Sequence, residues 1–319
     1  RGLGDVYKRQ RHDRSLYLCW NGSNERGFRG KSMPVASQEQ STTAYMLAPG
    51  VSILEREPGV IQFGMDATRV GVVEVESEII ASLSRLHQPI TRDSIQRLLT
   101  RAGMEETAAS SLIEDLICYN ILWPEPARSC VVVLGKSPLA EAIRAAASQD
   151  GFVLRNQLEQ ENTYSYIKAV SPHFPVVAVD FLDKPVELAE TLRKCKGDFL
   201  PVSMFDARGV IGPLRTAGRG PCPMCSHLHR IDGDEQWHNV VTQLDTADAK
   251  ADEVIIKAVA MQTMIFLRRL AGRPSPPGAK SSRVMQGELL EVDPYGHNQY
   301  RLVLEHPKCP YCFEKSQRR

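Results

Sequence analysis

Four cysteines stand in two Cys-Pro-x-Cys pairs, Cys222-Pro-Met-Cys225 and Cys309-Pro-Tyr-Cys312. Two residues between paired cysteines let both sulfurs turn toward one ion, and closed structural zinc sites are built from four tetrahedral thiolates. The pattern predicts one structural Zn2+ ion held by Cys222, Cys225, Cys309 and Cys312. The pairs lie roughly 80 residues apart, so one ion would close a long loop and fasten the C-terminal segment onto its domain. Four thiolates leave no open position, so a catalytic zinc is not expected. A redox Cys-x-x-Cys usually opens a helix in a thioredoxin-like unit, a context that the surrounding sequence does not suggest. Cys118, Cys130 and Cys195 lie on apolar faces and read as core thiols. His227, His229 and His306 flank the pairs and read as neighbours of the ligands, and Trp237 reads as a packing anchor. No Ser/His/Asp or Cys/His nucleophile arrangement stands out, so no catalytic residue is assigned.

A second group of residues bears on nucleotide chemistry. Phosphate binding at a strand-to-helix turn needs glycines, so that the phosphate can approach the helix N-terminus. The turn here is Gly135-Lys136-Ser137-Pro138-Leu139-Ala140. Gly135 fills the first position, but Ser137 crowds the second and Pro138 stiffens the turn. No carboxylate is placed for a ribose after the next strand. Asp180 and Asp183 end a predicted strand, where carboxylates can hold magnesium. Gly135 and Asp183 are therefore the residues of a degenerate cofactor site, and ATP with Mg2+ is not expected to bind.

The elements that must position these residues follow from periodicity. Val51–Leu54, Val60–Phe63 and the valine-rich run Val70–Val75 read as three short strands. Helices then carry Ile79, Ile80, Leu83 and Leu86, next Ile95, Leu98 and Leu99 after an N-cap at Thr91, and finally Ala108, Leu112, Leu116 and Ile117. This is a winged-helix-like α+β module over residues 45–124, with Trp123–Pro126 as the linker. From 125 to 319 the pattern alternates. Val131–Leu134 is a continuous apolar run of the buried parallel type, Leu139–Ser148 is an Ala-rich helix, and strands follow at Phe152–Leu154, Val176–Val179 and Phe199–Met204, with Glu187–Cys195 helical. A long helix from about Asp248 to Leu270 and strands near Gly287–Val292 and Gln299–Leu304 complete it. The fold class is α/β, with a Rossmann-type doubly wound second domain. Residues 1–44 are expected to be disordered or artefactual. The opening run RGLGDVYKRQ looks like a translated sequencing adapter, and Met33 is a candidate start.

Composition excludes several function classes. The 319 residues carry 39 Lys plus Arg against 38 Asp plus Glu, a net charge of +1, so no basic surplus marks a nucleic-acid surface. Arg92, Arg97 and Arg101 are followed closely by Glu105, Glu106, Glu114 and Asp115. No apolar stretch reaches the roughly 20 uncharged residues of a membrane span. With no secretory signal, the cytoplasm is expected, where thiols stay reduced and serve as ligands.

Together these motifs resemble a known family. The run Val210-Ile-Gly-Pro-Leu214 through Gly218-x-Gly-Pro-Cys222-x-x-Cys225, then His229-Arg-x-Asp232 to Trp237, closing with His306-Pro-x-Cys309-Pro-x-Cys312, is similar to the ThiF-type domain of ubiquitin-activating and sulfur-carrier-adenylating enzymes. The combination resembles the ThiF-like, leader-peptide-binding partners of YcaO cyclodehydratases in thiazole/oxazole-modified peptide (RiPP, bacteriocin) pathways, in which a PqqD-like recognition element comes first. The resemblance covers about 270 residues. Asp180-Phe-Leu-Asp183-Lys184 resembles the family's Asp-x-x-Asp-Asn, with Asp183 at the magnesium position and Lys184 departing from the Asn.

The resemblance implies a non-catalytic scaffold. The leader of a precursor peptide would add as a strand beside Val70, Val72, Val73 and Val75, with its side chains directed toward Leu112 and Leu116 of the third helix. A YcaO-type cyclodehydratase would act in trans on Cys, Ser or Thr, and a homodimer is compatible with the family's habit. The alternative is an ATP-dependent adenylyltransferase of the ubiquitin-activating/ThiF type, acting on a peptide carboxylate.

Overall fold

A computed structural model describes residues 43–67, 70–158, 160–244, 252–279 and 284–312. The expectation of disorder over residues 1–44 lies outside the described residues as far as 42, while Ala44 already belongs to a strand; the expected start of the long helix before 252 also lies outside them. The chain divides into two compact units, one of Arg1–Pro126 with Pro274–Ser281, the other of Ala127–Arg273 with Ser282–Arg319.

The first unit begins with β1 (Ala44–Leu47), β2 (Ile53–Glu57), β3 (Val60–Phe63) and β4 (Gly71–Glu74), followed by α1 (Ser77–Leu83), β5 (Ile90–Thr91), α2 (Arg92–Arg101), α3 (Glu106–Cys118) and β6 (Leu122–Pro124). The strands form two antiparallel sheets, β5-β1-β6 and β2-β3-β4. The expected linker at Trp123–Pro126 is partly strand, because β6 pairs with β1 from the other end of the unit, Leu47 opposite Leu122. One core gathers Phe63 and Val73 from the second sheet with Leu83, Ile95, Leu99, Leu112 and Leu116 from the helices. These helix positions recur at spacings of three and four, which is why one face of each helix is buried. Thr91 stands at the N-cap of α2 as expected, but its hydroxyl donates to Ser94 Oγ (2.9 Å) rather than capping the backbone.

The second unit runs β7 (Ser129–Leu134), α4 (Pro138–Gln149), β8 (Phe152–Arg155), α5 (Thr163–Ala169), β9 (Val176–Val179), α6 (Pro185–Leu192), β10 (Phe199–Phe205), β11 (Arg208–Ile211), α7 (Pro223–Gly233), α8 (Trp237–Val241), α9 (Glu253–Leu270), β12 (Glu288–Val292) and β13 (Gln299–Leu302). Its seven-stranded sheet has the order β13-β12-β11-β10-β9-β7-β8. The half from β8 to β10 is parallel, and the half from β10 to β13 is antiparallel. The βαβ reading therefore holds for the first half only, and the sheet is mixed.

Strand β7 shows why the apolar run is continuous. Val131 and Val133 pack on one face of the sheet with α4 and α9, while Val132 and Leu134 pack on the other with Ile167, Leu188 and Leu192 of α5 and α6. Helices on both faces leave no polar side to alternate with. Helix α9 crosses β11 so closely that Gly209 has no room for a side chain beside Val259. Arg268 and Arg273, at the end of α9, both pair with Asp150 after α4, Arg273 at 2.9 Å. No described helix is long and apolar enough to cross a membrane.

Candidate functional site

Helix α7 starts at the first cysteine pair. Cys222 is its N-cap and Pro223 its first residue. Proline pre-sets the helical φ there and lacks an N–H that would otherwise go unpaired. Cys225 then lies one turn on, near the same helix end. The second pair repeats the device: residues 310–312 are helical and Pro310 follows Cys309. The Cys-x-x-Cys therefore does open a helix, which the sequence reading did not expect. What separates it from a redox pair is the second pair brought against it.

The four sulfurs lie within 4.8 Å of one another, and all four residues are buried. Cys222 and Cys225 are 3.7 Å apart, Cys222 and Cys309 3.5 Å, Cys225 and Cys312 3.4 Å. A tetrahedron of Zn–S bonds of about 2.3 Å has edges of about 3.8 Å, so this donor set is compatible with a structural zinc. The thiols in contact cannot all ionise independently. Hydrogen bonds from Cys222, then Cys225 and Cys312, hold the Cys309 thiol well below its usual range. Cys222 is pushed far up by its hydrogen bonds to Cys225, Cys309 and Cys312, and then by burial.

The histidines reinforce the closure. Buried His306 accepts the Lys308 N–H at Nδ1 (3.1 Å), which leaves Nε2–H to donate to Asp232 of α7 (2.8 Å). That hydrogen bond holds the Asp232 carboxyl below its ordinary range. His229 Nε2 donates to Leu304 O (3.0 Å). Helix α7 is thus tied to the segment after β13 by two hydrogen bonds beside the cysteines. His227 instead accepts from Trp237 Nε1 (3.3 Å). Neither His227 nor His229 belongs to the four-sulfur cluster.

At the phosphate turn, Gly135 has φ +113°, and a Cβ there would lie 2.6 Å from the carbonyl oxygen of Val179. Glycine is required by the approach of β7 to β9, whether or not a nucleotide binds. Ser137 caps α4 through the Ala140 N–H (3.4 Å) and donates its hydroxyl hydrogen to Asp180 Oδ2 (2.5 Å). The other oxygen of Asp180 accepts from the Met204 N–H (3.0 Å). A carboxylate of the chain thus already sits by the N-terminus of α4. Asp183 is half-buried in the turn between β9 and α6, and the Lys184 ammonium lies 3.8 Å from its Oδ2.

In the first unit β4 is an edge strand, paired only with β3 among the described residues. Val75 donates its N–H to Gly59 O (2.8 Å) on the β3 side. By the two-residue period of a strand, the N–H and C=O of Val72 and Glu74 point to the free edge. The side chains expected to meet a peptide divide. Val70 and Val72 are half-buried, but Val73 (1% exposed), Val75 (7%), Leu112 (1%) and Leu116 (0%) belong to the core. Those four support the edge from behind and have no surface to offer a ligand.

No protein-family model matches the sequence, and no curated relative does. Solved structures do match in fold. A heterocyclase in complex with substrate and cofactor superposes with a TM-score of 0.57 at 16% identity, over 85% of this chain and 40% of that one. The heterocyclase TruD gives 0.55 at 15% identity, over 85% and 43%. The microcin C7 biosynthetic enzyme MccB, in complex with N-formylated MccA, gives 0.50 at 13% identity, over 84% and 99%. At these identities the likeness is one of fold. The chain spans less than half the length of the two heterocyclase structures.

One residue of consequence escaped the sequence reading. Arg230 stands in the motif run after the first cysteine pair, and its guanidinium lies over the rings of Phe205 (4.2 Å) and Trp237 (4.9 Å). Only the helical spacing of 223, 226, 227 and 230 could have marked it as facing inward. Trp237 does act as an anchor, stacked on Phe205 at 5.7 Å.

Proposed function

We propose that this protein is a leader-peptide-binding scaffold that presents a ribosomally made precursor peptide to a YcaO-type cyclodehydratase acting in trans, for azoline and azole formation. The observation that carries the reading is the free edge of β4, whose outward main-chain groups at Val72 and Glu74 are backed by a packed core. An extended leader adds there as a strand: main-chain hydrogen bonds supply affinity, and side-chain contacts at half-buried Val70 and Val72 supply selectivity. The small first unit is then a PqqD-like, winged-helix recognition element. Fold likeness to heterocyclases and to MccB agrees with work on precursor peptides.

On this reading Cys222, Cys225, Cys309 and Cys312 hold a structural zinc, which supplies a rigid clasp and no chemistry. The Asp180 carboxylate repels a phosphate from α4, and Lys184 occupies the surroundings of Asp183 where a magnesium ion would bind. Glu114 holds Arg92 at 2.8 Å, which lessens the positive face a nucleic acid would need.

The rival reading, an adenylyltransferase acting on a peptide carboxylate, is favoured by the MccB likeness and by Asp183 in the turn after β9. Two assays on the purified chain separate them. The scaffold reading expects saturable binding of a synthetic leader and no ATP–pyrophosphate exchange. Exchange that is lost in Asp183→Ala would overturn it.

A further inference from the structure

A cavity of about 460 Å³ lies between α7 and one face of β9–β13 in the second unit. Most of its wall is apolar, including Leu188, Phe205, Val210 and Leu289. This volume is within the range of sites that hold small ligands by an apolar enclosure and a few fixed polar groups.

Arg230 is the fixed polar group. Its stem rises from α7, and its guanidinium is clamped by Phe205 and Trp237. Trp237 is held in turn by Phe205 and by its hydrogen bond to His227. Among the described residues the Arg230 side chain has no hydrogen bond and no ion pair. The neighbouring acid is not free to serve it: Glu291 is taken by Arg208 through one oxygen and by Arg301 at 2.9 Å through the other. Burial, and then the charge of Arg301, push the Arg230 pKa below its ordinary value. A guanidinium nevertheless stays protonated in proteins, so its planar fork of donors faces the cavity without a hydrogen-bond partner among the described residues, and Glu291 offsets its charge only at a distance. Ser226, also on the wall, has a buried hydroxyl without a partner among the described residues. The local excess of arginine over glutamate selects for an anion, and the apolar wall selects for what the anion is attached to.

We propose that this cavity binds an apolar group ending in a carboxylate, with Arg230 as the carboxylate's partner. A guanidinium meets a carboxylate with two parallel hydrogen bonds, and the geometry is worth most where water is excluded. Two sources share this chemistry: a free organic acid, and the last residue of a peptide. The second is accommodated by β13, an exposed edge strand paired only with β12 among the described residues, with Arg301–Leu304 lining the cavity. The site lies in the second unit and does not depend on leader binding at β4.

The test is calorimetric titration of the full chain with 4-phenylbutyrate against 4-phenylbutyramide, and with N-acetyl-Gly-Gly-Phe as free acid against its C-terminal amide. Each acid is expected to bind at least about tenfold more tightly than its amide, because an orphaned charge–charge hydrogen bond is costly. Arg230→Met keeps the stem over the rings and removes the charge. It is expected to abolish the preference for the acid, so that acid and amide bind alike. A tighter peptide acid assigns the site to a chain end, and a tighter phenylbutyrate assigns it to a free acid. Equal affinity of acid and amide, no binding of any probe at about 10 mM, or an acid preference that survives in Arg230→Met overturns the proposal. The acid–amide comparison on the unaltered chain decides even where the variant fails to fold.

Discussion

Replacing Cys309 and Cys312 together by serine tests the clasp. The sulfur contacts Cys222–Cys309 and Cys225–Cys312 each bridge 87 positions of sequence. Closing a loop of that length removes chain entropy worth about 4–5 kcal/mol at 25 °C on the cross-link model. A domain of this size shifts its Tm by about 2–4 °C per kcal/mol, so the double variant is expected to melt about 8–20 °C lower. The hydrogen bonds His306–Asp232 and His229–Leu304 stay in place and keep the loss toward the lower figure. The assay is metal content by mass spectrometry alongside thermal unfolding by circular dichroism. The unaltered chain is expected to hold about one zinc per chain and the variant none. A chelator should reproduce the destabilisation in the unaltered chain and have no effect on the variant. Unaltered protein that is metal-free yet melts at the same temperature as the variant would refute the reasoning.

Three further outcomes follow from other parts of the molecule. Val72→Pro removes an outward N–H of edge strand β4, a place where proline costs no ladder bond. It should weaken leader binding about three- to tenfold, the worth of one main-chain hydrogen bond, with the urea midpoint little changed. Asp150→Asn takes the charged partner from Arg268 and from Arg273 (2.9 Å); a loss of about 1–3 kcal/mol in urea unfolding is expected. Tyr300 has its pKa pushed up to about 12 by burial and then by the carboxylate of Glu288. Its neutral form is favoured by the folded state, so the contribution is complete below pH 10 and disappears as pH rises through about 12. Tyr300→Phe should remove one late-appearing phenolate from an ultraviolet titration and flatten the stability profile over that window.

Much of the second unit is legible in the sequence because burial on both sheet faces writes itself as unbroken apolar runs, as at Val131–Leu134 and Val176–Val179. The cysteine cluster is legible because two Cys-Pro-x-Cys pairs mark themselves by residue type and spacing. Helix α7 is not, since its interior runs Ser-His-Leu-His-Arg and its inward face meets a cavity and the four-cysteine cluster instead of an apolar core. Helix α5 is missed because Ile167 is its one buried residue. Strands β1 and β6 escape because each is short and its partner lies at the far end of the unit. The outward-facing chemistry of β4 is half legible: alternation marks the strand, but only the pairing pattern shows that Val73 and Val75 face the core while the main chain of Val72 and Glu74 is open.

Reconstitution measures the proposed presentation of a leader peptide. A YcaO cyclodehydratase is incubated with ATP and a full-length precursor, or with the same precursor lacking its leader, in the presence and absence of this protein. Loss of water from the precursor, read by mass spectrometry, is expected only when both this protein and the leader are present, and it should fall with Val72→Pro. Cyclodehydration at the same rate without this protein, or without the leader, would contradict the account.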